Sequence, residues 1–468
     1  MKKTLFIVFF ALSSLLLFAQ TDEELFGFSD DDFFEGDGIE ELAVEENSSA
    51  GENKAKVDLG QGIIFENGSV KIGGNFSTSL SSSTVLYEKF EEDEDKKTFK
   101  DHIYESILTP DLSAYLTFDA RPNQNLRMYT KFGMEYPFTS KANTSFVTAG
   151  TFIQVPVAAT TNVDDWFKIK ELFTDFSIAD VAFFRFGLHT VTWGCGYFFS
   201  PVSDVINTTS INPEDTDAQV EGSVNLRTQI TFPGSQNCLW FYVIPGKDFI
   251  LENSAQTYVR DTALAGKFDL VLGGWELGLG GYWKYQNSPK ALITASGSIR
   301  KLGLFGEALY QYGSNSEWSE SIEWEEKTHI YQLTAGFNYY WKVPEILFAG
   351  QYYYDSNDLD QAHKYLTHGH NIAAMISFSR IFGTNDVSAS LFAMINFGKE
   401  EMSEEYKEAA KNLGIASYLN AATYSATLNY TPVKTITLSA GPYITMEDLE
   451  EAPLVELKLN VKMGGGQF

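Results

Sequence analysis

The sequence predicts an all-β chain: a transmembrane, antiparallel, up-and-down β-barrel of about eighteen strands, with sixteen to eighteen compatible with the pattern. Three observations carry this. Segments of period-2 alternation recur at the length of a membrane-crossing strand, short and long connections alternate between them, and an aromatic-rich composition accompanies a low mean hydropathy.

The alternation is cleanest in Val224-Asn225-Leu226-Arg227-Thr228-Gln229-Ile230-Thr231-Phe232, where even positions are mostly apolar and odd positions polar. It returns in Leu126–Phe132 and in Val455–Met463. Side chains on a strand point to opposite faces in turn, so each segment presents one face to lipid and one to water. Counted along the chain, such segments lie near 69–81, 104–120, 125–137, 166–178, 182–193, 223–232, 238–244, 261–272, 275–285, 290–299, 303–312, 328–341, 346–354, 370–381, 387–397, 416–430, 435–445 and 454–463. Most match the roughly 9–11 residues that a tilted strand needs to cross hydrocarbon.

The joins at 121–124, 179–181, 273–274, 300–302, 342–345 and 431–434 are short, whereas 82–103, 138–165, 194–222 and 398–415 are long. Short turns on one side and long loops on the other are a property of outer-membrane barrels, with short turns in the periplasm. The outer loop near 286–289 is the one short exception.

Composition agrees. Aromatic residues make up 15% of the chain, with 37 Gly and 37 Phe, yet mean hydropathy is only -0.16. Half of each barrel strand stays polar, which holds the average down. Aromatic clusters at strand ends, Tyr339-Tyr340-Trp341, Tyr352-Tyr353-Tyr354, Tyr282-Trp283 and Tyr310 with Tyr312, read as interfacial girdles. The net charge of -28 excludes nucleic acid as a partner, since phosphate binding needs clustered Lys and Arg. The acidic clusters, 22–52, 88–95, 317–326 and 400–408, fall outside the expected strands.

Residues 1–20 read as a secretory signal peptide, with Lys2 and Lys3 ahead of an apolar stretch from Thr4 to Phe18 and cleavage after Ala19 or Gln20. That stretch is too short to be a membrane anchor, and no Cys stands at the cut to take a lipid. Residues 21–57 hold thirteen acids against two lysines and read as a disordered periplasmic segment, with a lumen plug or docking motif as the other readings. The barrel spans 58–468, and its terminal Phe468 resembles the signal read by barrel assembly machinery, although Gly464-Gly465-Gly466 interrupts the preceding alternation. Cys195 and Cys238 are expected at opposite ends of the wall and therefore unbonded.

The candidate site is the hairpin from Trp166 to Trp193. With Leu172, Phe176, Phe184, Phe186 and Leu188 toward lipid, Glu171, Asp175, Arg185 and His189 face the lumen. A three-residue turn at 179–181 sets Asp175 opposite Arg185. Arg127, Lys131 and Arg227 join them as pore-lining candidates. Over all strands the inward set mixes Lys71, Lys267, Arg300, Lys458 and Lys462 with Asp111, Asp119, Glu135, Asp269, Glu307 and Glu456, which is nearly balanced in sign.

The stretch from Glu171 to Pro213 also resembles a family. RFGLHTVTWG at Arg185–Gly194, followed by SDVINTTSINPED at Ser203–Asp215, is similar to the large porin-like outer-membrane proteins related to the alginate exporter, with His189 standing where the family has Gln. The resemblance implies an eighteen-stranded channel whose third long loop, residues 194–222, folds inward as a constriction.

Together these features imply an outer-membrane conduit for small polar or amphipathic solutes by passive or facilitated diffusion, with lipid and assembly machinery as partners. A surface adhesin acting through acidic loops, and a hydrophobic-solute transporter plugged by the N-terminal segment, are the alternatives. No nucleophile elbow or other catalytic motif is present, and no cofactor is implied. His363, His368 and His370 share one outer loop at a spacing that can bind metal, yet three loop histidines are more often simply polar, so no metal is assigned.

Overall fold

The computed structural model describes residues 56–58, 63–67, 69–87, 103, 106–136, 143–149, 153–160, 167–191, 193–206, 222–246, 260–319, 323–356, 369–381, 383–397, 422–433, 436–446, 453–463 and 466–467. The signal peptide, nearly all of the acidic segment 21–57, Phe468, His363 and His368 lie outside them.

The strands run in chain order as β1 (Lys56–Asp58), β2 (Ile63–Asn67), β3 (Val70–Tyr87), β4 (Ile107–Asn123), β5 (Leu126–Tyr136), β6 (Asn143–Ala149), β7 (Ile153–Thr160), β8 (Phe167–Ile178), β9 (Ala182–His189), β10 (Ser223–Thr231), β11 (Cys238–Ile244) and β12 (Ala263–Leu272). They continue as β13 (Trp275–Lys284), β14 (Lys290–Ile299), β15 (Leu302–Tyr312), β16 (His329–Trp341), β17 (Ile346–Asp355), β18 (Gly369–Phe378), β19 (Val387–Phe397), β20 (Ala422–Val433), β21 (Ile436–Met446), β22 (Leu454–Met463) and β23 (Gly466–Gln467). Eighteen of them, β3 to β5 and β8 to β22, pair antiparallel with their neighbours, and β22 returns to β3 with Val455 opposite Tyr87 and Lys462 opposite Ser79. The wall is closed. Closure satisfies every strand's backbone donors and acceptors inside the sheet, the condition for a sheet to cross a hydrocarbon layer.

Burial follows the alternation. Leu172, Phe186, Leu279, Ile293, Leu333 and Ile372 are exposed outward, while Asn225, Arg227, Lys267, Glu307, Gln351 and Asn371 are buried inward. An apolar outer belt around a polar interior is what lipid outside and water inside select. Turns match the demand for tight reversal: Gly273 and Gly274 take φ of 62 and 83, and Ala179 and Asp180 take 55 and 52. Gly273 and Gly274, between the paired Leu272 and Trp275, make a two-residue hairpin turn whose twist suits the flanking strands, whereas Ala179 and Asp180 belong to the three-residue join between the paired Ile178 and Ala182.

The seam departs from the sequence expectation. The eighteen-residue β3 outruns β22, and the chain past the glycine run rejoins its edge as β23, with Gly466 opposite Phe76 and Gln467 opposite Asn75. Below it β2 covers the same edge, Asn67 opposite Val70 and Lys71 opposite Glu66, and β1 adds to β2. Pairing with β3 thus resumes at Gly466 after β22 ends at Met463, and Gly464 and Gly465 lie outside the described residues. Strands β6 and β7 form a separate hairpin within the long join 138–165, which alternation did not reveal.

Three expectations need correction. The strand expected to reach Trp193 ends at His189, because Val191 and Trp193 are buried against the inner wall instead. The strand expected at 416–430 is present from Ala422, and residues 416–421 lie outside the described residues. Arg300 sits exposed in a turn at φ 61 and does not line the lumen. Tyr353 leaves the girdle: only alternate members of Tyr352-Tyr353-Tyr354 can face lipid, and Tyr353 is buried inward.

Replacing Leu279, which is 62% exposed at mid-strand, by Arg should cost about 2–4 kcal/mol of folding stability in lipid vesicles. Urea-titrated refolding measures it, and a variant as stable as the parent would contradict the lipid-facing assignment of β13.

Candidate functional site

The charged hairpin forms as the turn dictates. Asp175 lies opposite Arg185 in the β8–β9 ladder, and Leu172 opposite Leu188. The Arg185 guanidinium donates to both carboxylate oxygens of Asp175, at 2.6 and 3.1 Å. On the other side Arg127 lies opposite Asp175 in the β5–β8 ladder, 3.8 Å away, and forks onto Asp119 at 3.1 and 3.0 Å. Lys131 lies opposite Glu171 and over the Tyr115 ring, 5.1 Å from its centroid. The guanidiniums are backed by rings as well, Arg185 4.1 Å from the Phe173 centroid and Arg127 5.2 Å from that of Tyr129. Stacking on a ring holds a planar cation where the ion pair needs it.

The two remaining candidates sit differently. Arg227 lies opposite Arg185 in the next ladder but is only 6% exposed, turned toward the Trp240 ring. His189 is 1% exposed, with its ring edge-on to Phe173 and Nδ1 3.2 Å from the Gly187 carbonyl. It lines the buried wall, not an open lumen face.

Past His189 the chain turns into the barrel, and residues 193–206 pack on the inner wall. Trp193 and Val202 join Tyr242, Leu292 and Leu309 in one apolar cluster, while Phe199 packs with Tyr353, Met375 and Phe392 in a second. Phe199 stacks on Tyr353 at 5.3 Å between centroids. Apolar packing alone would strand the loop's peptide groups, and two wall side chains take them. Glu307 on β15 accepts the N–H groups of Cys195, Gly196 and Val202 and the Ser200 hydroxyl. Gln351 on β17 accepts at Oε1 from the N–H groups of Tyr197, Phe198 and Phe199, at 3.1, 2.6 and 3.1 Å, and returns Nε2 to the Phe199 carbonyl at 2.6 Å. Lys267 on β12, paired with Asp269 at 3.0 Å, donates to the Trp193 carbonyl at 2.8 Å.

Glycine is required here. A Cβ on Gly194 would fall on Ser200 Oγ and the Glu307 carboxylate. Residues 193–206 therefore form an inward loop, as the family resemblance implied for 194–222; residues 207–221 lie outside the described residues. Glu307 and Lys267 were legible as inward charges but not as loop anchors. Gln351 was missed, because an uncharged inward residue in a polar lumen leaves no mark in alternation.

Both cysteines are free. Cys195 does not stay at the loop end of the wall: its thiol reaches the Gly306 and Ala295 carbonyls, at 3.4 and 3.6 Å, in the middle of β15 and β14. Burial and then the neighbouring Glu307 carboxylate push this thiol up to about 12. His370 is the second residue of β18, its Nδ1 2.6 Å from the Tyr352 hydroxyl.

No protein-family signature matches the chain, and no curated protein matches it in sequence. Its fold is similar to OccK9 (OpdG) of Pseudomonas aeruginosa, at 8% identity and a TM-score of 0.48 over 85% of this chain and 98% of that one. A BenF-like porin of Pseudomonas fluorescens Pf-5 gives 7% and 0.48 over 85% and 99%, and the outer membrane channel DcaP of Acinetobacter baumannii gives 12% and 0.42 over 86% and 99%. At these identities no residue role passes from those proteins to this chain.

In the folded barrel at pH 7.5 the Cys195 thiol should resist maleimide, since the thiolate is the reactive form. Replacing Glu307 with Ala removes both the repelling charge and the loop's acceptor, so labelling of Cys195 at pH 7.5 should accelerate roughly tenfold, read by peptide mapping because Cys238 is free as well. Equal rates in parent and variant would show that Glu307 does not hold the loop.

Proposed function

We propose that this chain is an outer-membrane channel, passing small polar or amphipathic solutes by passive or facilitated diffusion and lacking catalytic chemistry. The observation that supports it most is the division of labour inside the wall. One sector carries the inward loop, clasped by Glu307 and Gln351, and the sector of β4, β5, β8 and β9 presents Asp119, Arg127, Asp175 and Arg185, each partly exposed. A loop fixed against one side narrows a barrel without filling it, and charged side chains kept wet on the other side suit a solute path. The short turns are then periplasmic and the long joins extracellular. The finer kinship with alginate-exporter relatives rests on Arg185–Gly194 and Ser203–Asp215 alone.

Refolded protein in a planar bilayer should give discrete current steps in potassium chloride. Replacing Arg185 with Glu reverses one wall charge and should move the reversal potential toward cation preference. Absence of steps at any voltage would contradict the channel reading, and an unmoved reversal potential would place Arg185 away from the narrowest section.

A further inference from the structure

The wall sector half-way round the barrel from β15 is built as a row of alternating charge. From β4 to β9 the inward side chains at one level run Asp119, Arg127, Asp175, Arg185, each within ion-pair reach of the next: 3.0 Å for the first pair, 3.8 Å for the second and 2.6 Å for the third. Arg121 adjoins Asp119 at 3.3 Å near the short-turn rim. Neighbouring strands lie about 4.8 Å apart, so the sign changes at nearly every strand. A second alternation lies above the first, Lys131 opposite Glu171. The next arginine in the row, Arg227, is closed off at 6% exposure, whereas the four members of the row keep 16–30% of their side chains open.

We propose, on the channel reading above, that this row is a transit subsite for small zwitterions, solutes carrying one ammonium and one carboxylate, such as free amino acids. The argument is one of partner exchange. A lone anion bound at Arg185 competes with Asp175 and leaves a wall carboxylate beside its own charge; a lone cation at Asp175 meets the mirror situation with Arg127 and Arg185. A zwitterion does neither. Its carboxylate takes the arginine while its ammonium takes the displaced aspartate, so two wall contacts are exchanged for two solute contacts and no charge is left without a partner. Complementarity of this kind sets specificity more than raw affinity, which suits a site that solutes must also leave. The rings of Phe173 and Tyr129 hold the two guanidiniums at 4.1 and 5.2 Å, so the row keeps its spacing while partners change.

The test uses the full barrel in proteoliposomes at pH 7 and follows influx of three labelled solutes of nearly equal size: glycine, its uncharged isomer glycolamide, and the anion glycolate. Partly exposed charge pairs are worth about 0.2–1 kcal/mol, so glycine should enter roughly 1.5–5-fold faster than either control. In the neutralised pair D175N/R185Q the glycine advantage should disappear, and in the swapped pair D175R/R185D, which preserves alternation between β8 and β9, more of it should survive. The swapped barrel keeps the test open if the neutralised one does not fold. Glycolate entering fastest, or glycine and glycolamide entering alike, would overturn the proposal while leaving a channel. Exclusion of all three would contradict the channel reading and the proposal with it.

Discussion

The Glu307 carboxylate accepts the backbone N–H groups of Cys195, Gly196 and Val202 from a loop that has left the barrel rim and entered its interior. A peptide segment drawn into a barrel loses the ladder that serves its neighbours in the wall, and each buried donor left unpaired costs about 1–3 kcal/mol. Charge-assisted bonds to one carboxylate meet that cost together, and the Gln351 amide meets it for the next three residues. Trp193, Phe199 and Val202 then bury apolar surface against Tyr242, Tyr353 and Leu309, which the loop could not reach without those anchors.

The asymmetry of the interior follows. Glu307, Gln351 and Lys267 are consumed by the loop, so the inner face from β12 to β17 is a packed core in all but name. Charges on β4, β5, β8 and β9 compensate one another and remain partly wet. Their pairs contribute little to stability at that exposure. Their value lies in keeping ionised groups in a wall whose outer face is apolar.

Much of this was legible in the sequence. Alternation located every wall strand, because lipid on one side and water on the other enforce period 2 in each, and the turn at 179–181 fixed the register that joins Asp175 to Arg185. The strand ends were less legible where apolar residues continue past the wall: Val191 and Trp193 extend the pattern of β9 but bury inward. Gln351 carried no signal, since its role depends on three loop amides more than one hundred and fifty positions away. The pairing of β23 with β3 was hidden for a similar reason, because a run of glycines carries no side-chain alternation to read.

Hydrogen exchange of the folded barrel tests the clasp most directly. Peptides spanning 193–206 should exchange on the timescale of the wall strands, because the amides of Cys195 to Phe199 and of Val202 are bonded to wall side chains. Exchange of that segment within seconds, while β15 and β17 stay protected, would contradict a loop fixed by Glu307 and Gln351.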